Sequence, residues 1–260
     1  MKFAFSTLGV PGMPVSEVAD LAVTTGCHGV ELRTHPEEPV HLRTGARERA
    51  AVREEFARAG VEILTVAGYA RVAAAGDEEA VAEELSELVW LARDLGASFV
   101  RVFPGGGDQD PEIADATAAR RLALAAETAA DAGVRIVLET HDSHRTGAAV
   151  SRVVGRVGHG HVGALWDVMH PWLGHERPAA THAALSPYLG YLQVKDVASA
   201  EDLTPLPLGA GVLPLAECLA LTGDDGWVCW EYEKRWHPDA EDLPGILAAG
   251  RQHLESLAHA

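Results

Sequence analysis

Cysteine is scarce in this chain and poorly placed for structural use. Its three copies, Cys27, Cys218 and Cys229, are odd in number and far apart, which excludes a disulfide framework and any paired-cysteine zinc spacing. Each reads as a small buried hydrophobe. Basic residues are also few: 21 Lys and Arg against 38 Asp and Glu give a net charge of −17. Such a field repels a phosphate backbone, and no local basic groove offsets it, so nucleic acid is not an expected partner. There is no long uninterrupted apolar run, so no membrane span is expected. The opening "MKFAFSTLGVPGMP" enters a strand at once, with too short an apolar stretch for a secretory leader, and a cytoplasmic protein is the expectation. A glycine-rich phosphate loop is missing as well. "STLGVPGMP" is not G-x-G-x-x-G, and "FPGGGDQD" lacks the helix register that motif needs.

What remains is an ordinary globular composition, 47% hydrophobic and 23% charged over 260 residues, enough for one eight-unit α/β barrel or two small domains. Strand-like and helix-like segments alternate throughout. Strands are expected at residues 2–9, 29–33, 62–68, 98–106, 135–141, 162–170, 191–197 and 227–233. Helices are expected near 14–26, 46–60, 77–96, 115–133, 147–158, 179–189, 214–221 and 242–259. Glycines at 26, 60, 96, 133 and 190 stand where helices should end and strands begin. No linker, repeat or low-complexity tract interrupts the series. The expected fold is therefore a parallel (β/α)8 TIM barrel, one domain over residues 1–260.

Four of the apolar runs in the second half end on an oxygen donor: "RIVLET" at Glu139, "VGALWD" at Asp167, "YLQ" at Gln193 and "GWVCWE" at Glu231. Their spacing is about one strand–helix–strand step each, and a closed parallel barrel would bring all four to one mouth. Three carboxylates and an amide gathered there would repel one another without a divalent cation between them. Side chains alternate along a strand, so Glu31 pairs by parity with Arg33, Glu139 with His141, Gln193 with Lys195 and Glu231 with Glu233. If the first of each pair holds the metal end, the second lies one layer nearer a substrate. Arg101, in "VRVF", stands at the matching height of the fourth strand, and His170 follows Asp167 closely enough to turn back over the site. Glu31, Arg33, Arg101, His141, His170 and Lys195 are thus substrate-binding candidates. A plain alternative is that Glu31 pairs structurally with Arg33 and that Arg101 is an ion-pair partner. Trp166, Trp230 and Tyr232 have the opposite parity and belong to the core, whereas Trp172 reads as a wall of the pocket.

Taken together, "GVELR", "VRVFPGG", "VLETH", "LWDVMHP", "YLQVKDV" and "WEYE" resemble the sugar-phosphate isomerase/epimerase family of xylose isomerase-like barrels, along essentially the whole chain. The resemblance implies one divalent ion, Mn²⁺ or Mg²⁺ first and Co²⁺ or Zn²⁺ next, held by Glu139, Asp167, Gln193 and Glu231. The seventh-strand motif of the family is normally HxKD, and here it is "QVKD". Members that dehydrate 3-dehydroshikimate look to carry Gln at this place too. An amide oxygen is harder than imidazole and shifts preference from zinc toward Mg²⁺ or Mn²⁺. The related AP endonucleases fit poorly, because their multi-zinc cluster needs additional histidines and their substrate is DNA.

The implied chemistry is removal of a proton next to a carbonyl in a small polyhydroxylated substrate, with Glu139 and Glu231 as catalytic acid and base. Returning the proton gives isomerisation or epimerisation. Losing a hydroxyl one carbon further on gives dehydration of the 3-dehydroshikimate or inosose type. A sugar-binding barrel that has lost activity is the non-catalytic alternative. A small-molecule substrate is the partner expected, and a homo-oligomer is left open.

Overall fold

In the computed structural model, which describes residues 1–223 and 226–258, eight strands close into one barrel. They are β1 (Lys2–Ser6), β2 (Gly29–Arg33), β3 (Glu62–Arg71), β4 (Phe99–Phe103), β5 (Arg135–Glu139), β6 (Val162–Asp167), β7 (Leu189–Val194) and β8 (Trp227–Trp230). Every neighbouring pair is parallel. The ring closes where β1 pairs with β8, from Lys2 opposite Trp227 to Phe5 opposite Trp230. The helices are α1 (Val15–Thr25), α2 (Ala46–Ala59), α3 (Glu78–Leu95), α4 (Pro111–Ala132), α5 (Gly147–Val157), α6 (Met169–Leu173), α7 (Pro178–Leu185), α8 (Leu215–Thr222) and α9 (Leu243–Ala258). The (β/α)8 expectation is met. Among the described residues, no helix is long and apolar enough to cross a membrane.

Local chemistry explains the boundaries. The Asp77 side chain accepts the Glu79 N–H at 2.9 Å, starting α3, and Gly96 ends it in the left-handed region at φ 76°. Between these caps Leu85, Leu88, Leu91, Ala92 and Leu95 recur at helical spacing and are fully buried against the sheet. Truncating one of these leucines to Ala would cost about 2–5 kcal/mol. Helix α4 starts four residues before the sequence expectation, because Asp110 caps it and Pro111 fits the first turn, where no N–H is needed. Gly190 does not end a helix: it lies inside β7, where a Cβ would sit 2.8 Å from Val137.

Two layers of core result. The larger lies between strands and helices and contains Trp166, Trp230 and Tyr232, as their parity requires. The smaller fills the barrel itself with Ala4, Leu64, Val137, Leu165, Tyr191 and Cys229. This inner plug blocks the barrel below the site, so any ligand must enter from the C-terminal mouth.

Candidate metal centre and active site

Glu139 and Asp167 are the last residues of β5 and β6. Gln193 is the penultimate residue of β7 and lies opposite Asp167. Glu231 follows β8 directly, its N–H donating to the Val194 carbonyl at 2.9 Å. All four are buried at the C-terminal ends of their strands. One carboxylate oxygen from each of Glu139, Asp167 and Glu231 lies within 4.8 Å of the others, a span a single cation can bridge. A second such group joins Glu139 to His141 and His170.

The hydrogen bonds leave oxygens over at this spot. Asp167 uses Oδ1 to accept the Met169 N–H at 2.8 Å, while its Oδ2 has no hydrogen bond. Glu139 Oε2 and Gln193 Oε1 are also buried without a hydrogen bond. The Gln193 orientation follows from its neighbour. Its Nε2 donates to Glu31 Oε1 at 3.0 Å, and because an ionised carboxylate only accepts, the amide oxygen is left for another partner. Glu31 is itself fixed by the Tyr191 hydroxyl, which donates to Oε2 at 2.5 Å. Lys195 and Arg101 face the Asp167 and Glu139 oxygens as ion-pair partners, whereas Gln193 Oε1 has none, and a buried oxygen of that kind costs free energy unless a ligand satisfies it. Together these residues offer an all-oxygen donor set of the kind that divalent cations take.

Two buried cations balance these charges. Lys195 Nζ lies 2.8 Å from Asp167 Oδ2, 2.5 Å from Glu231 Oε2 and 2.7 Å from Glu233 Oε1. Burial opposes the ammonium, but these carboxylates overcome it and hold the Lys195 pKa well above its ordinary value. Arg101 Nε lies 3.3 Å from Glu139 Oε2, and its Nη2 lies 3.9 Å from Glu231 Oε1. Its Nε and Nη1 make no hydrogen bond. Burial pushes Glu139 well above the usual carboxylate range; Arg101 opposes this, and Glu231 and Asp167 add to it. His170 is pushed well below the ordinary imidazole value, by burial first and then by His141 and Lys195.

Above the cluster lies a cavity of about 340 Å³. Arg101, Glu139 and Glu231 form its floor; His141, Asp142 and Glu233 line it higher up, and Tyr69, Phe103 and Trp236 give it aromatic walls. His170 stacks on His141 with ring centroids 4.1 Å apart, so it does turn back over the site. Of the six substrate-binding candidates, Arg101 and His141 line the cavity. Glu31 and Arg33 do not, and they do not pair with each other either. Glu31 lies beneath Gln193, while Arg33 is paired with Glu38 and donates from Nε to the Tyr69 hydroxyl at 2.7 Å. Lys195 is enclosed by the carboxylates and not displayed above them. Trp172 does not line this cavity; Trp236, exposed at the rim, does. Tyr69 was not anticipated because β3 runs on to Arg71, past the Gly68 at which the apolar run stops.

The fold and this site together define a class, and comparison with known proteins agrees. A family model for xylose isomerase-like TIM barrels matches residues 19–257, and the chain belongs to that family. A 3-dehydroshikimate dehydratase of Bacillus anthracis is 22% identical over 212 residues, covering 78% of this chain and 74% of that protein. Among solved structures, an IolI protein with a bound zinc atom superposes with a TM-score of 0.84 at 18% identity, covering 99% of this chain and 98% of the other. A D-psicose 3-epimerase from Clostridium cellulolyticum H10, solved with D-tagatose, gives a TM-score of 0.83 at 15% identity, covering 99% of each chain. A dehydratase and an epimerase, two different reaction types, are thus both among the proteins this chain is similar to.

Proposed function

We propose that this chain is a divalent-metal-dependent enzyme that removes a proton next to a carbonyl in a small polyhydroxylated substrate. The observation that carries the reading is the convergence of carboxylate oxygens of Glu139, Asp167 and Glu231 within 4.8 Å under an open cavity, with a buried Gln193 Oε1 that has no hydrogen bond. Glu139, Asp167, Gln193 and Glu231 would hold the ion, Mg²⁺ or Mn²⁺ by the hardness of the set. When bound, the ion would polarise the substrate carbonyl and lower the acidity barrier of the neighbouring C–H. The protein supplies the rest. Glu139 and Glu231 both reach the cavity floor, where one takes the proton and the other returns it. Arg101 keeps both carboxylates in place and has a free Nη1 donor for an oxygen of the substrate. The aromatic walls exclude water from the C–H faces of the ligand.

Return of the proton makes the enzyme an isomerase or epimerase, which is the leading reading. A second reading, dehydration, has its own support. His141 and His170 stack beside Glu139, and an imidazole there can protonate a departing hydroxyl; the curated relative is a dehydratase. The acidic surface disfavours nucleic acid as a partner, and the cytoplasm is the proposed compartment.

The test is elemental analysis of metal-loaded protein, followed by ketoses, inososes and cyclic hydroxy-ketones in deuterated water, followed by NMR. Deuterium at the reacting carbon with the formula kept identifies an isomerase or epimerase; a product lighter by one water identifies a dehydratase. Protein that binds no ion, or turnover without cleavage of a C–H beside a carbonyl, would defeat both readings.

A further inference from the structure

Among the described residues, the cations of the mouth are all engaged but one. Arg33 is held by Glu38, Arg101 by Glu139 and Glu231, and Lys195 by three carboxylates. Arg71 also lines the cavity, yet its side chain makes no hydrogen bond and no ion pair. In a chain with 38 acidic residues, a guanidinium that lines the same cavity as Asp142, Glu231 and Glu233 and pairs with none of them is unusual.

Its position is built by the backbone. Between the pairs Ala67–Arg101 and Arg71–Phe103, β3 advances four residues while β4 advances two. This bulge lifts the end of β3 over the mouth, and because the surplus is even, Arg71 keeps the inward parity of Ala67 and Tyr69. The aliphatic stem of Arg71 then passes over Gly105. A Cβ there would meet its Cβ, Cγ and Cδ at 2.6–2.8 Å, and Gly105 has a φ of +66° that disfavours a side chain in any case. The stem is held while the charged head stays accessible, because Arg71 is exposed. Bulges beside active sites commonly re-aim a side chain in this way.

Resting on the functional reading above and narrowing its substrate class, we infer that Arg71 is a specificity residue that binds an oxyanion of the substrate, a carboxylate or a phosphate, at the rim of the cavity. The substrate is then an anionic polyhydroxylated carbonyl compound. Its reacting carbon lies over Glu139 and Glu231, and its charged end lies at β3. Guanidinium suits this task because its planar fork meets two oxygens at once.

The test uses binding, read by calorimetry on metal-loaded and on metal-free protein. The ligands are matched pairs: hydroxy acids of three to seven carbons against their methyl esters, and sugar phosphates against the free sugars. At least one anion should outbind its neutral partner by about ten-fold or more, as a charge-assisted pair implies. Arg71→Gln should erase that preference while leaving the neutral partner's affinity and the melting temperature unchanged, and Arg71→Lys should retain part of it. The arm that shows the preference says whether the group is a carboxylate or a phosphate. A panel in which no anion is preferred, or none binds, overturns the inference, as does equal weakening of both partners by Arg71→Gln. Metal binding is scored separately in the same experiments. An ion without anion preference defeats only the Arg71 assignment, whereas anion preference without an ion defeats only the metal reading.

Discussion

Replacing Lys195 by Met removes the ammonium that lies 2.5–2.8 Å from Asp167, Glu231 and Glu233 and keeps the hydrocarbon stem. Without it, these carboxylates and Glu139 remain buried or nearly so, with Arg101 the remaining close cation. Breaking a buried ion pair by removing one partner costs about 3–5 kcal/mol, because the charge left behind is not resolvated. For a domain of this size that corresponds to a fall of roughly 6–20 °C in the melting temperature of metal-free protein. A divalent ion should reverse most of the loss. In the wild type the ion must share Asp167 and Glu231 with the ammonium, and in the variant it need not. Lys195→Met should therefore bind Mn²⁺ more tightly, and its melting temperature should rise further on loading. Thermal melts with chelator and with a Mn²⁺ titration measure both effects. A metal-free variant that melts with the wild type, or equal metal-induced shifts in the two proteins, would refute this account of the charge balance.

Glu139→Gln and Glu231→Gln should each abolish deuterium exchange into the substrate, while metal-free stability changes little, because removing one of several like charges relieves repulsion; exchange assays and melts check the pair. Gln193→His should keep an ion and move preference toward zinc, read by competition between Zn²⁺ and Mn²⁺ in elemental analysis. His144 supplies a pH prediction remote from the ligands. It is buried, with its Nε2 3.0 Å from Asp115 Oδ1, and Arg152 also pairs with Asp115, at 2.9 Å. Burial is the main cause that lowers its pKa below 6.5; Asp115 opposes this, and Arg152 adds to it. The unfolded chain then takes up the proton first, so this stability is present above about pH 6.5 and is lost as pH falls. His144→Gln should flatten that part of the melting-temperature profile between about pH 7 and 5.

The barrel was legible because its signals are local and repeated. Hydrophobic period, capping residues and helix-ending glycines each recur, and a one-residue error at any boundary leaves the count of eight intact. The shared position of Glu139, Asp167, Gln193 and Glu231 was legible because each strand ends its apolar run on a polar residue, and the mouth collects strand ends. Three-dimensional pairing was not. Arg33 pairs with Glu38 in the following loop, and Glu31 is claimed from across the barrel by Tyr191 and Gln193. Parity says which face a residue is on, not which partner reaches it first. Tyr69 and Arg71 were hidden for another reason: the β3 bulge extends that strand past Gly68, where periodicity alone ends it. Likewise Trp236 enters the site from the loop after β8, and no alternation pattern extends into a loop.

Glutamine at 193 makes sense once its surroundings are counted. The cluster holds four buried carboxylates, Glu31, Glu139, Asp167 and Glu231, and the half-buried Glu233, against two ammonium or guanidinium groups, Lys195 and Arg101. That leaves three negative charges, which a divalent ion reduces to one. A fourth anionic ligand would restore the excess, so the remaining donor has to be neutral, and an amide and an imidazole both meet that condition. What separates them from a mere neutral filler is the carboxylate of Glu31, which can accept an N–H from either and turn the opposite donor atom toward the ion. A ligand oriented by a carboxylate behind it is a recurrent feature of metal sites. In the proposed centre Glu31 would therefore be a positioning residue, able to orient either an amide or an imidazole at position 193.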